Sequence, residues 1–356
     1  MTFDNKASEK QRQSTGGVED SLFMRACRRE AVARPPVWLM RQAGRYLPEY
    51  QAIRNKVTFL ELCKNPILSA EVMLATVDRL GVDAAIIFSD LLPILQPMGL
   101  DLEFAAGEGP VIHNPLRSRT DLERFHELVD VDPLSFVFET VRATRSGLQE
   151  ELPVIGFAGA PFTLAGYAIE GGTSRNWLHT KRFMLTDPDA WHELMGRLAR
   201  TISRYLHAQF DAGANAVQVF DSWVGCLSPN QYREYVLPHS RTVLESVIDR
   251  GPIIHFAAGN PALLPLAAEA GGTVMGIDWR IELNEAWQQV GFHRGVQGNL
   301  DPAVLHATPE VVRHRTEDIL KSVAGRPGHI MNLGHGILPE TPVENVLEFI
   351  ATVQQK

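Results

Sequence analysis

Residues 216–223, Ala216-Val217-Gln218-Val219-Phe220-Asp221-Ser222-Trp223, set a short apolar run directly against polar side chains. The run is not a clean apolar–polar alternation, so it suits a strand of a parallel sheet covered on both faces rather than a half-exposed one. Six further runs of this kind lie at 84–88, 154–157, 253–256, 274–277, 296–298 and 330–333, and residues 37–40 are the candidate for an eighth. Between them recurs a capping residue followed by proline: Asn65-Pro66, Asp187-Pro188, Ser228-Pro229, Asn260-Pro261, Asp301-Pro302, Thr308-Pro309 and Thr341-Pro342. The cap oxygen accepts a free amide, and proline in the first turn gives up an N–H that has no helical partner anyway. Strand and helix alternating about seven times predict an α/β fold, a (β/α)8 TIM-type barrel, with a long doubly wound sheet as the other solution.

After Asp187, the side chains Trp191, Leu194, Met195, Leu198, Ile202 and Leu206 recur at helical spacing up to Gly213. That stripe is read as core packing. Thr341 and Glu344 have the spacing of a capping box for a last helix. No linker or change of composition divides the chain, so residues 19–356 are expected to form a single domain. Residues 1–18 are polar and are expected to be a disordered tail.

The chain of 356 residues is 45% hydrophobic and 21% charged, enough for a large core, and its formal charge is −8. That charge argues against nucleic-acid binding, which needs a positive face. Cys27, Cys63 and Cys226 form no CxxC pair, so no disulfide framework and no metal site are expected. No run approaches the ~20 apolar residues of a membrane span. The polar start, without the apolar stretch of a signal peptide, points to the cytoplasm.

The strand ends carry Ser89 and Asp90; Asp221 and Ser222; Asp278, Trp279 and Arg280; Gln297, Asn299 and Asp301; and Asn332 and His335. In a barrel these converge on one mouth, which makes an enzyme or small-molecule binder the leading class. Asp90 is followed by Leu91-Leu92-Pro93, and a carboxylate between apolar segments is costly without a partner. Asp301, followed by Pro302, reads as a helix cap, and Ser222 has the alternative of bonding nearby backbone. His335 lies between Gly334 and Gly336, which would let the backbone approach a ligand.

Two motifs are denser. In Trp38-Leu39-Met40-Arg41-Gln42-Ala43-Gly44-Arg45-Tyr46 the two arginines are four apart, a spacing that would put them on one helix face; Arg54 follows in a more polar stretch. A guanidinium grips a carboxylate through two parallel hydrogen bonds. Gly156-Phe157-Ala158-Gly159-Ala160-Pro161-Phe162-Thr163-Leu164, then Tyr167 and Glu170-Gly171-Gly172, reads as a small-residue loop passing beneath a ligand.

These two stretches resemble the signatures of the uroporphyrinogen decarboxylase family. Phe88-Ser89-Asp90, Phe220-Asp221-Ser222, Gly276-Ile277-Asp278-Trp279, Gln297-Gly298-Asn299-Leu300-Asp301 and Asn332-Leu333-Gly334-His335-Gly336 resemble it in the same order. The resemblance implies a carboxy-lyase of haem and chlorophyll biosynthesis. It would convert uroporphyrinogen III to coproporphyrinogen III and carbon dioxide by removing four acetate carboxylates, without metal or organic cofactor. It implies a homodimer. It implies that Asp90, Arg41 and Tyr167 are catalytic, and that Arg41, Gln42, Arg45, Arg54, Asp90, Tyr167, Phe220, Ser222 and His335 bind substrate, with the arginines and His335 as cations. Two other classes stay open: a cobalamin- or coenzyme-linked methyltransferase of the same barrel superfamily, which would need a zinc site, and a non-catalytic tetrapyrrole carrier.

Overall fold

The strands in chain order are β1 (Ala85–Ile86), β2 (Leu102–Ala105), β3 (Gly109–Ile112), β4 (Val154–Gly159), β5 (Ala216–Asp221), β6 (Ile253–Ala257), β7 (Val274–Gly276), β8 (Gly295–Gln297) and β9 (His329–Ile330). They come from a computed structural model that describes residues 17–105 and 109–355. β1 and β4 to β9 lie side by side in sequence order, each pair parallel. β2 and β3 form a separate antiparallel hairpin. Each of the seven apolar runs therefore overlaps a strand, with β8 and β9 beginning one residue before theirs, and the intervening helices wrap the outside as a βα barrel requires. The expected tail lies outside the described residues apart from Gly17 and Val18; Val18 already opens a 3-10 turn, Val18–Asp20.

The eighth position is a single bridge rather than a full strand. Val37 pairs in parallel with Met331 just past β9, and its carbonyl accepts from Asp83 N at 2.8 Å just before β1, so it closes the ring. Pro35 and Pro36 have no N–H and cannot extend the ladder upstream. Asp83 fixes the segment instead: its carboxylate accepts from Val37 N at 2.7 Å and from both terminal nitrogens of Arg34 at 2.7 and 2.8 Å.

The stripe Trp191, Leu194, Met195, Leu198, Ile202 and Leu206 is buried along the helix Pro188–Asp211. Gly213, two residues past its end, has φ 109°. Asn65, Asp187, Ser228, Asn260 and Asp301 each cap through their side chains as expected. Thr341 does not. The last helix is Val343–Gln354 with Pro342 at its cap, and the Thr341 hydroxyl donates to Leu338 O at 2.9 Å. Thr308 likewise makes no side-chain cap for the helix Pro309–Ser322.

Polar side chains cross the barrel interior. Trp38 Nε1 donates to Gln297 Oε1 at 3.0 Å, Gln297 Nε2 to Gln218 Oε1 at 3.0 Å, and Gln218 Nε2 to Met40 Sδ at 3.2 Å. All four residues are buried, so each bond satisfies a group that water cannot reach. The chain ties Val37's neighbours to β5 and β8 and aims the peptide that follows Met40 at the mouth.

Candidate active site

Arg41 is placed by residues from the far end of the chain. Asn332 Oδ1 accepts from Met40 N at 3.1 Å and Ile337 N donates to Met40 O at 3.1 Å, so the backbone of Met40, the residue before Arg41, is held at both its amide and its carbonyl. Arg41 itself has φ 61°, in the left-handed region. Gly336 leaves room for it, since a Cβ there would lie 2.5 Å from Arg41 Cδ. The expectation that Arg41 and Arg45 share a helix face is thus wrong. Residues 41–47 form turns, and the first helix after them is Pro48–Arg54.

Asp90 lies at the carboxyl end of β1, half-buried, with its Oδ1 accepting from Leu92 N at 3.0 Å. Among the described residues no side chain donates to it, so a carboxylate with about four acceptor sites keeps most of them free. Burial pushes its pKa above the ordinary value, against the pull of the Leu92 amide and the Arg41 guanidinium. Tyr167, on the helix Pro161–Glu170, is pushed up to about 12 by burial and then by the Asp90 charge, and so stays protonated. Its ring packs edge-on to Trp177 and Trp223, with centroids at 5.9 and 6.1 Å.

The wall between these groups is aromatic. Phe157, Phe220 and Phe256 stand near the ends of the adjacent strands β4, β5 and β6, with centroids 5.8 and 6.1 Å apart along the row. Gly276 on β7 makes room for the last of them, since a Cβ there would come 2.8 Å from Phe256 Cδ2. His335 continues the row, 6.2 Å from Phe256 and 6.1 Å from Trp279.

Arg41 is the electrostatic neighbour of Asp90, Tyr167 and His335 together, so the structure gathers these four. His335, however, is not the expected cation. Burial, then the Arg41 and Arg280 guanidiniums, hold it down at about 4, so it is neutral near pH 7. Its flanking glycines serve the protein: Gly334 meets Trp279 N at 2.4 Å from a would-be Cβ, and Gly336 meets Arg41. Ser222 is half-buried at the mouth and makes no bond to nearby backbone among the described residues, so its hydroxyl is free for a ligand.

Other expectations are displaced. Gln42 is 0% exposed, accepts from Leu39 N and donates to Ala84 O, both at 3.3 Å; its side chain is spent on the fold and cannot reach a ligand. Arg54 is half-buried and donates to Val57 O at 2.5 Å. Arg45 is exposed, with no ion pair among the described residues. The small residues of 156–168 lie in β4 and the helix after it, apart from Ala160 between the two, and not in a loop beneath a ligand; Gly171 and Gly172 follow the end of that helix. They make room for protein: Gly159 for Leu164 and Leu91, Gly166 for Trp177.

Asp221, beside Phe220 and Ser222, turns away from the mouth. It is 0% exposed, accepts from Thr163 Oγ1 at 3.2 Å, and is pushed up to about 7 by burial. The sequence also gave no prominence to Phe157 and Phe256; an aromatic at the end of successive strands was the signal. Among the described residues no group of three or more His, Cys, Asp or Glu is gathered to hold a metal ion.

Comparison with known proteins agrees with this geometry. A family model described as uroporphyrinogen decarboxylase (URO-D) matches residues 19–356. The uroporphyrinogen decarboxylase of Carboxydothermus hydrogenoformans is 53% identical over 337 residues, 94% of this chain and 96% of that protein. That of Sorangium cellulosum is 52% identical over 332 residues, 93% of this chain and 95% of that protein. Among solved structures, a methyltransferase from Methanosarcina mazei superposes with a TM-score of 0.77 at 19% identity, covering 94% of this chain and 98% of its own, a likeness of fold alone. The chain belongs to the uroporphyrinogen decarboxylase family.

Proposed function

We propose that this chain converts uroporphyrinogen III to coproporphyrinogen III, with Asp90 as the group on which the macrocycle centres. The observation that carries the reading is Asp90 itself: a carboxylate at the mouth, bonded by the backbone on one side, with its remaining acceptor sites free and Arg41 nearby. A porphyrinogen has saturated bridges between its pyrroles and can dome, so its four N–H groups converge on one acceptor. A carboxylate is the side chain that accepts several such bonds at once.

Loss of carbon dioxide leaves an electron pair, which most decarboxylases pass to a cofactor ring. Here the pyrrole serves. A proton added to the ring carbon next to the one that bears the acetate arm makes the ring cationic. The bond to the carboxylate then breaks, its electrons neutralise the ring, and a second proton on the exocyclic carbon gives the methyl group as the ring proton leaves. Asp90 opposite that cation contributes ~4 kcal/mol at ~4 Å and an effective dielectric near 20. That is about three powers of ten in rate, so positioning and a proton donor are needed as well. Tyr167 stays protonated and serves as a hydrogen-bond donor. Arg41 orients the reacting carboxylate, and Phe220, half-buried and packed on the buried Phe157 and Phe256, supplies an apolar surface to the macrocycle.

Anaerobic incubation with uroporphyrinogen, followed by oxidation and chromatography of the porphyrins, tests the reading. Four-carboxylate product is expected; bound but unchanged substrate would make the chain a carrier instead. A cytoplasmic homodimer is part of the same proposal. It is supported by the family resemblance, and light scattering should return twice the monomer mass. No helix among the described residues is long and apolar enough to cross a membrane.

A further inference from the structure

The substrate carries eight carboxylates, while the chain has a formal charge of −8, so cations must be concentrated where the arms lie. The mouth has fewer of them than its motifs suggest. His335 is neutral and Arg54 is turned to a backbone carbonyl. Arg41 and Arg45 remain, both from the one segment that follows the ring-closing bridge at Val37. A macrocycle sends its arms to all sides, and cations on one side hold only one edge of it.

We infer that Arg280 is a substrate-positioning residue that grips a carboxylate the reaction leaves in place, at the rim beside β7; the inference rests on the decarboxylase reading above. β7 lies three positions round the ring from Val37, through β9 and β8, so Arg280 serves a different edge from Arg41 and Arg45. Its geometry is built. Asp278 is 4% exposed and binds three donors: Gly259 N at 2.6 Å, Arg280 N at 3.0 Å and Arg280 Nη1 at 2.7 Å. The guanidinium carbon lies 3.9 Å from the centroid of the Trp279 ring. Held by an ion pair and stacked on a ring, the side chain loses little freedom when it binds, yet it remains 43% exposed.

The close approach of Gly334 to the backbone of Asp278 and Trp279 joins the loops after β7 and β9, which puts Trp279 against His335 and turns Arg280 into the same neighbourhood. A recess of ≈ 410 Å³ that Arg280 helps to line also carries Glu282 and Glu285, which would repel an anion. The guanidinium is therefore used from the mouth side. Its Nη1 is occupied by Asp278, and the other donors of its planar fork have no acceptor among the described residues.

Steady-state kinetics with uroporphyrinogen test this on the full-length protein, comparing wild type with Arg280→Ala, Arg280→Gln and Arg280→Lys. Glutamine keeps a donor for Asp278 without the charge, so it separates loss of the charge from loss of Asp278's partner. KM is expected to rise about ten-fold in the alanine and glutamine variants with kcat within two-fold, in line with loss of one charge-assisted hydrogen bond, and lysine should recover part of it. Added salt should raise the wild-type KM more steeply than that of Arg280→Gln. A residue that merely neutralised Asp278 would lower the melting temperature and leave KM and its salt dependence alone. An active wild type with unchanged KM in Arg280→Gln overturns the inference by itself. A wild type that leaves uroporphyrinogen untouched overturns the decarboxylase reading and the inference together.

Discussion

Gly336 and Arg41 divide one volume between them: a Cβ on Gly336 would stand 2.5 Å from Arg41 Cδ, 2.8 Å from Cγ and 3.0 Å from Nε. The glycine matters here for what it leaves empty. Asn332, four residues earlier, accepts from the amide of Met40, and Ile337, one residue later, donates to the Met40 carbonyl, so the residue before Arg41 is held at both ends. The motif around His335 is thus largely a seat for the arginine of the amino-terminal motif.

Gly336→Ala should therefore act through Arg41. The substitution keeps the fold and displaces the guanidinium, and kcat/KM for uroporphyrinogen is expected to fall about ten- to hundred-fold, the scale on which misplacement of a positioning group is felt. Arg41→Ala should lose most activity by itself. In the Arg41→Ala background the glycine substitution should cost little more, because residues acting as a unit are not additive. A full additional loss in the double variant would show that Gly336 acts by another route.

Asn332→Ala leaves two backbone amides, Met40 N and Leu333 N, without their acceptor. Buried orphans of that kind cost ~1–3 kcal/mol each. The melting temperature should drop and activity should fall further than the lost stability explains. A destabilised protein with wild-type kcat at a temperature where it is fully folded would contradict this.

Asp90→Asn preserves shape and removes charge. The amide opposes inward-facing N–H groups with an N–H of its own, and the ring cation loses its counter-charge. The expected loss in kcat is at least about a thousand-fold, from ~4 kcal/mol of attraction. The same carboxylate fixes a pH limb. Its pKa is raised by burial and only the anion accepts, so kcat/KM should decline on the acid side at a pH above the usual aspartate range near ~4. Near-normal turnover by Asp90→Asn, or an acid limb at the ordinary aspartate value, would remove Asp90 from the centre of the mechanism.

Legibility in the sequence followed the range of the forces involved. Strand runs, five of the seven cap–proline starts and the stripe on Pro188–Asp211 depend on neighbours a few residues away, and they are where the sequence places them. Asp90 was legible for a local reason, a carboxylate set between apolar runs. The turn at Arg41 was not, because its left-handed φ is maintained by Asn332, 292 residues from Met40. The neutrality of His335 depends on burial and on two guanidiniums from other loops, which no local pattern records. Gln42, between prominent residues, looks like a contact residue until its donor is traced to Ala84 O. Arg280 stands in plain view after Trp279, but a carboxylate two residues earlier suggests only a local pair.

Asp221 gives a test of stability rather than rate. Its carboxyl is pushed up to about 7 by burial, with one oxygen accepting from Thr163 and the other without a partner. A folded-state value above the unfolded one means that the folded protein holds the proton more tightly. The stability this confers is fully present below the unfolded value near ~4 and is lost as pH rises toward the folded value. Over that interval the loss is at most about 4 kcal/mol, at ~1.4 kcal/mol for each pH unit. Asp221→Asn abolishes the titration while its carbonyl oxygen still accepts from Thr163. Urea denaturation at pH 5 and pH 8 should show the variant gaining on the wild type by one or more kcal/mol at the higher pH. Stability curves that run parallel between those two values would mean that Asp221 is already ionised in the folded protein, and that another group packed against β5 pairs with it.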